Sequence, residues 1–446
     1  MEESQTTTKL SLFSLAWPIF IEQFLRVMIS YVTVFMLGHY SDDAVAATGV
    51  ANQILVISVI MFAFISVGVQ ILVAQMIGAR KHGLIEQVIT NGIVFSVMIG
   101  AIVSLIFLFL STQFLTWMGL DPHLVEVGTP FLEIIGGTSI LTAIPYAIMP
   151  ILRTHGHVRQ AMYIPVVAGL ITVVGNYLVL YGPLSYLDLG VTGVGIATVV
   201  GNVVAIFLSI WLLHRHVDYR FQWHKFKDLS RRTMYSILRL GLPSAGENMS
   251  YAGSQLIVTA IIALMGTDAL TTKVYASTVS QFVALFAISI GQASQIIIGR
   301  AVGAKEVDRA YKQGFRSWRI GLIIAVAVSV LIYIFSEPIM HLFTSNENII
   351  AMTKQLFLLS IFLEIGRSTN IIIISSLNST GDVRFPFIVG IIVMWIVSLP
   401  FSYALGITAG MGLVGVWLAY IIDEGLRGCL MVYRWRSKVW SLKSVL

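Results

Sequence analysis

The chain has 446 residues, of which 57% are hydrophobic and only 11% charged. A soluble globular domain carries about 25% charged residues, so this one lacks the charge to cover a water-exposed surface of its size. The net charge of +6 invites a nucleic-acid reading, but the Lys and Arg sit in short loops between apolar runs, which argues against it. A single cysteine, Cys429, excludes an intrachain disulfide and a thiolate metal cluster.

Apolar runs of about 20 residues, enough to cross a hydrocarbon core of roughly 30 Å, recur along the whole length. In chain order they predict helical spans over 10–38, 45–77, 86–115, 124–152, 159–181, 190–213, 234–265, 269–300, 314–342, 348–376, 384–405 and 409–433. The first follows nine mostly polar residues, is too long for a signal peptide and lacks a small-residue cleavage pattern. It is expected to be a retained helix. Pro18, Pro145, Pro150, Pro165, Pro243, Pro386 and Pro400 lie in or near these helices. Neighbouring helices can satisfy the carbonyl that a proline frees, and bends are expected at Pro18 and Pro243. The expected fold is an all-α membrane protein of twelve transmembrane helices.

Orientation follows from the bias of Lys and Arg toward cytoplasmic loops. With the N-terminus inside, Lys9, Arg80, Lys81, Arg153, Arg159, the runs 215–239 and 300–319, Arg384 and the tail 427–443 fall on the cytoplasmic side. Only Lys273 and Lys354 fall opposite, while Arg26 and Arg367 lie inside spans. Both termini are expected in the cytoplasm.

The sequence repeats itself at an offset of 225 residues. Pro18 and Glu22 match Pro243 and Glu247, and Asp43-Ala44 matches Asp268-Ala269. The segment QILVAQMIGAR (70–80) matches QIIIGRAVGAK (295–305), and Gly156-x-Val158-Arg159 matches Gly381-x-Val383-Arg384. The register drifts by five residues only at the end, where Gly193-x-Gly195 meets Leu413-x-Gly415. Six helices return the chain to its starting side, so the halves read as parallel six-helix repeats. They span 1–213 and 234–446, with a basic cytoplasmic linker over 214–233. Around Trp223 the linker reads equally as an ordinary loop or an interfacial amphipathic helix. Two such halves facing a central cavity could rock between inward-open and outward-open states, with substrate near the midplane.

A carboxylate in hydrocarbon costs about 2.5–3.5 kcal/mol even on lenient scales, so each one asks for a reason. The candidates are Glu22, Glu133, Glu247, Glu364 and Asp423-Glu424. Glu22 and Glu247 occupy equivalent repeat positions and read as proton- or cation-coupling groups, joined by Glu364. Arg26, four residues after Glu22, and Arg367, three after Glu364, are the ion-pair partners that would make those acids structural. Glu247 has no basic residue at that spacing. Asp423-Glu424 lie within a turn of Arg427 and read as structural; Glu133 has no strong claim. Thr33, Met36, Asn52, Gln53, Asn176, Asn202, Asn248, Tyr251, Gln255 and Gln281 are candidate cavity residues, with helix–helix contacts as the plainer reading. No H-E-x-x-H, P-loop or nucleophile elbow occurs, so no catalytic or metal site and no cofactor is expected. The glycines suit close helix packing.

The duplication, together with GHYSDDAVAATGVANQIL (38–55), QILVAQMIGAR, GLPSAGENMSYAGSQ (241–255) and LNSTGDVRFP (377–386), resembles the multidrug and toxic compound extrusion (MATE) family. The likeness runs over essentially the whole chain and looks closest to the bacterial DinF-like branch. The resemblance implies an exporter of cationic or amphiphilic organic compounds, driven by inward H+ or Na+, in a bacterial inner (plasma) membrane. A monomer is expected. One departure is in helix 1, where the branch usually carries an acid in a D-T-x-M-x-G-like stretch. Here that stretch is TVFMLG (33–38), with Thr33 in the acid's place. In other branches a helix-10 acid contributes, and its place falls on Arg367. The other readings are a lipid-linked precursor flippase, which needs a basic cavity, and a membrane-embedded enzyme or receptor, which no catalytic constellation supports.

Overall fold

The computed structural model describes residues 10–217, 219 and 230–443, and among these it contains helices and no strand. Trp223 and most of the linker around it lie outside the described residues. The α-helices are α1 (Leu12–Tyr40), α2 (Asp42–Gly78), α3 (His82–Trp117), α4 (Pro122–Gly137), α5 (Ser139–Thr154), α6 (Val158–Leu180), α7 (Gly190–Val217), α8 (Arg231–Ala263), α9 (Thr267–Gly303), α10 (Val307–Ile334), α11 (Ser336–His341), α12 (Glu347–Thr380), α13 (Arg384–Val393), α14 (Leu399–Tyr403) and α15 (Gly412–Arg436).

These helices form a twelve-span fold. Among the described residues nine helical stretches are long and apolar enough to cross a membrane, with α13 and α14 counted together as Arg384–Thr408. The bent pair α4–α5 makes a tenth. The other two, α8 and α15, are as long but carry the charges that matter below.

The repeat is written in the backbone. Helices α2 and α9 both start and both stop 225 residues apart, and so do the starts of α3 and α10. Arg80 and Lys305, which close the matching QILVAQMIGAR and QIIIGRAVGAK segments, sit at φ 56° and 60°. That left-handed conformation is uncommon for any residue with a Cβ. Gly156 and Gly381, which end α5 and α12, share φ 95°, where glycine meets no Cβ clash.

The copies also differ. The span Glu347–Thr380 is a single helix, whereas its counterpart is broken at Thr138 and bent by 43°. Gly136 and Gly137 precede the break, and the Thr138 hydroxyl donates back to the Ile134 carbonyl at 2.6 Å. Glycine pairs and such back-bonding both bend helices. Helices α1 and α8 each continue as one helix past Pro18 and Pro243. Around Pro400 the chain widens into π-helical turns at Met394–Ser398 and Ala404–Thr408, which accommodate a residue with no N–H to donate.

Two compact units result, Ile21–Ala245 and Met1–Phe20 with Gly246–Leu446, divided inside α1 and α8. In lipid the hydrophobic effect does not press helices together, so close packing through small residues does much of the work. In the first unit, a Cβ on Gly241 of α8 would lie 1.9 Å from the Phe64 carbonyl oxygen of α2, and one on Gly68 of α2 would lie 2.5 Å from the Ile237 carbonyl oxygen of α8. In the second, a Cβ on Gly366 of α12 would lie 2.9 Å from the backbone of Glu424 in α15.

Candidate functional site

In the unit Ile21–Ala245, α1 buries the Glu22 carboxylate against α5. Arg153 Nη2 donates to both of its oxygens, at 2.7 and 2.6 Å. Arg26, one turn on in α1, donates to Oε1 at 3.2 Å and to the Tyr146 hydroxyl at 3.0 Å. Glu22 therefore answers two arginines, not one. Arg153 is buried at the last turn of α5 and is not a free cytoplasmic loop charge as its position suggests. The pattern of Lys and Arg alone could not separate it from its neighbours.

The remaining candidates in this unit do not join that group. Asn176 of α6 donates to the Thr33 hydroxyl at 3.4 Å, tying α6 to the stretch where the resemblance expects an acid. The Met36 carbonyl accepts from the Tyr181 hydroxyl. Asn202 of α7 donates to the Thr142 hydroxyl of α5 at 3.2 Å. Asn52 and Gln53 are exposed on α2.

The unit containing Gly246–Leu446 has a larger polar group, built from α8, α12 and α15. Glu364 and Arg367 of α12 pair at 2.6 Å, and the other Glu364 oxygen has no hydrogen-bond partner among the described residues. In α15, Arg427 pairs with Asp423 at 2.9 Å and with Glu424 at 2.7 Å. Asn370 of α12 donates to the second Glu424 oxygen at 3.1 Å, and the absent side chain of Gly366 lets α15 come that near. Tyr420 donates to Gln255 of α8 at 2.9 Å, which joins the third helix. Arg427, like Arg153, is buried and is not part of an exposed basic tail.

Glu247 of α8 is the exception. Among the described residues its carboxylate makes no ion pair and no hydrogen bond, while the charges of Arg427 and Glu424 act on it electrostatically. Helix α13 passes it at Gly390, where a Cβ would stand 3.5 Å from Oε1. Tyr251 is on α8 one turn on, within the fields of Arg367, Glu364, Glu424 and Arg427. Asn248 and Gln281 are exposed. The repeat explains why Glu247 is unpaired: 225 residues beyond Arg26 and Arg153 stand Tyr251 and Asn378, both uncharged. The signal was present in the sequence, but reading it requires knowing that Arg153 reaches Glu22. Asn370 and Tyr420 had no such signal.

The two units thus hold different charge balances. One gathers a single carboxylate with two guanidinium groups; the other gathers four carboxylates, Glu247, Glu364, Asp423 and Glu424, with two guanidinium groups.

The MatE family model matches residues 18–178 and again 243–404, two matches that start 225 residues apart. The uncharacterized transporter YisQ of Bacillus subtilis is 38% identical, over 98% of this chain and 96% of its own length. A probable multidrug resistance protein NorM of Thermotoga maritima is 23% identical over 98% of this chain and 94% of its own. Among solved structures, a multidrug resistance MATE family transporter of the MOP superfamily in an outward-facing conformation has a TM-score of 0.89 at 19% identity, covering 97% of this chain and 96% of that one. A MOP superfamily transporter from Pyrococcus furiosus, described as having a binding pocket of reverse polarity, has a TM-score of 0.88 at 19% identity, with coverage of 97% and 96%. With the family model matched in both halves and a relative aligned end to end, the chain belongs to the MATE family of membrane transporters.

Proposed function

We propose that the chain is a secondary antiporter that exports cationic or amphiphilic organic compounds in exchange for inward protons, with sodium as the alternative ion. In this reading it lies in a bacterial inner membrane with both termini in the cytoplasm, and Glu247 is the coupling carboxylate. The observation that carries the reading is the unpaired state of Glu247 beside a group in which acids outnumber arginines. Such a group attracts a cation, and a proton taken up on Glu247 weakens that attraction. Substrate and proton then compete, and the coupling is reciprocal: bound cation lowers proton affinity by the factor by which a bound proton lowers cation affinity. Glu364, with one free oxygen, is the second acid available for the task. Glu22 is already neutralised by two arginines and serves here to hold α1 against α5.

The test is ethidium efflux from proteoliposomes under an imposed pH gradient and, separately, a sodium gradient. Glu247→Gln keeps the shape and removes the charge; it should abolish gradient-driven efflux while the protein stays monodisperse. Normal efflux from that variant would remove Glu247 from the mechanism. One feature favours the flippase reading, the surplus guanidinium charge of the Glu22–Arg26–Arg153 group. No efflux of any organic cation, with transbilayer movement of an anionic lipid-linked precursor instead, would decide for it.

A further inference from the structure

A groove of about 770 Å³ runs between the start of α1, α9 and α10, all within the unit that holds Gly246–Leu446. Its floor is a ladder of stacked rings. Phe13 lies 6.0 Å from Trp17, Trp17 lies 5.6 Å from Phe20, and Phe20 lies 4.2 Å from Phe286, with interplanar angles of 13°, 21° and 19°. Phe13 is 71% exposed and Trp17 48% exposed. The wall opposite is α10, which lines the groove with Arg309, Lys312 and Arg316; these and Arg319 recur three or four residues apart and so share one face of the helix. Lys312 and Arg316 also line a second hollow of about 590 Å³, together with Arg319 and Arg436.

Among the described residues, Lys312, Arg316, Arg319 and Arg436 have no carboxylate within ion-pair distance. The nearby acids pair with other bases: Glu306 with Arg309 at 2.7 Å, and Asp308, which also lines the groove within the field of Lys312, with Lys438 at 2.9 Å. From Ile320 to Ile334 the same helix carries no charged residue. The basic face therefore sits where the helix leaves the hydrocarbon, at the level of lipid headgroups.

We propose that this groove docks an anionic phospholipid, with its phosphate on Lys312 and Arg316 and one acyl chain laid along the Phe13–Trp17–Phe20 rings. The charge complementarity selects an anion, and the aromatic floor gives a hydrocarbon chain a surface that a soluble anion would not use. Guanidinium and ammonium groups bind phosphate as fork and point charge respectively.

The test uses the full-length protein, delipidated in detergent, with native mass spectrometry of lipid binding. Phosphatidylglycerol should be retained over phosphatidylcholine of the same chains. Lys312→Gln and Arg316→Gln, both at exposed positions, should each lower phosphatidylglycerol affinity about fivefold, as expected for one basic side chain at a membrane surface. Trp17→Ala should lower it as well, and Arg384→Gln, an exposed basic residue outside the groove, should not. Equal retention of the two lipids, unchanged affinity in the Lys312 and Arg316 variants, or an equal loss in Arg384→Gln would overturn the proposal. So would competition by glycerol phosphate at the same concentration as the lipid, which would assign the site to a soluble anion.

Discussion

Arg153 donates to both carboxylate oxygens of Glu22 across 131 positions of sequence, and this contact separates the two halves of a duplicated protein chemically. The equivalent acid, Glu247, has Asn378 where Glu22 has Arg153, and Tyr251 where Glu22 has Arg26. One copy of the repeated acid is neutralised and buried. The other has no ion pair among the described residues.

Arg153→Gln should destabilise the protein strongly, because it leaves the buried Glu22 with only the more exposed Arg26. Removing one partner of a buried pair costs about 3–5 kcal/mol. Thermal unfolding in detergent should show the loss, and Glu22→Gln combined with Arg153→Gln should recover much of it. If the double variant is no more stable than Arg153→Gln, the pair is not the source.

Tyr251→Arg supplies the C-terminal half with the arginine that Arg26 provides in the other, one helical turn from the acid. Glu followed by Arg at that spacing pairs well. Gradient-driven efflux should fall to the level of Glu247→Gln, with unfolding temperature held or raised. Retained efflux would mean that pairing Glu247 does not matter.

Gly366→Ala should push α15 off α12, since the new Cβ would meet the Glu424 backbone at 2.9 Å. Overpacking of this kind costs about 1–3 kcal/mol. The unfolding temperature should drop, and efflux should drop with it as Asn370 and Glu424 separate. Gly425→Ala, where a Cβ would meet nothing within 4 Å, is the control.

Lys354→Gln should do little by comparison. Lys354 meets Glu337 at 2.6 Å, but both side chains are largely exposed, and such pairs are screened by solvent. The hydrogen bond from Lys354 holds the Glu337 carboxyl below its ordinary value. Its contribution is thus present above the unfolded pKa and fades as the pH falls through the lower folded one, in the range of about 4 and below. Unfolding temperatures of wild type and variant should coincide at neutral pH.

Composition alone established that the chain belongs in a bilayer, because 11% charged residues cannot cover a soluble surface. The number of spans and the 225-residue duplication were also legible, since both rest on local pattern: runs of apolar residues, and glycines or short motifs that set a turn. Gly156 and Gly381 do in the backbone what their repeated motif implies. The spacings of Glu364 to Arg367 and of Asp423 and Glu424 to Arg427 were enough to find those pairs, because one helical turn brings such residues together. Only tertiary structure decided which equivalent acid is neutralised. Arg153 reaches Glu22, Asn370 reaches Glu424 and Tyr420 reaches Gln255 between helices far apart in sequence. No periodicity encodes such contacts; they depend on how closely two helices approach and on the rotation of each about its axis, which packing at positions such as Gly366 sets.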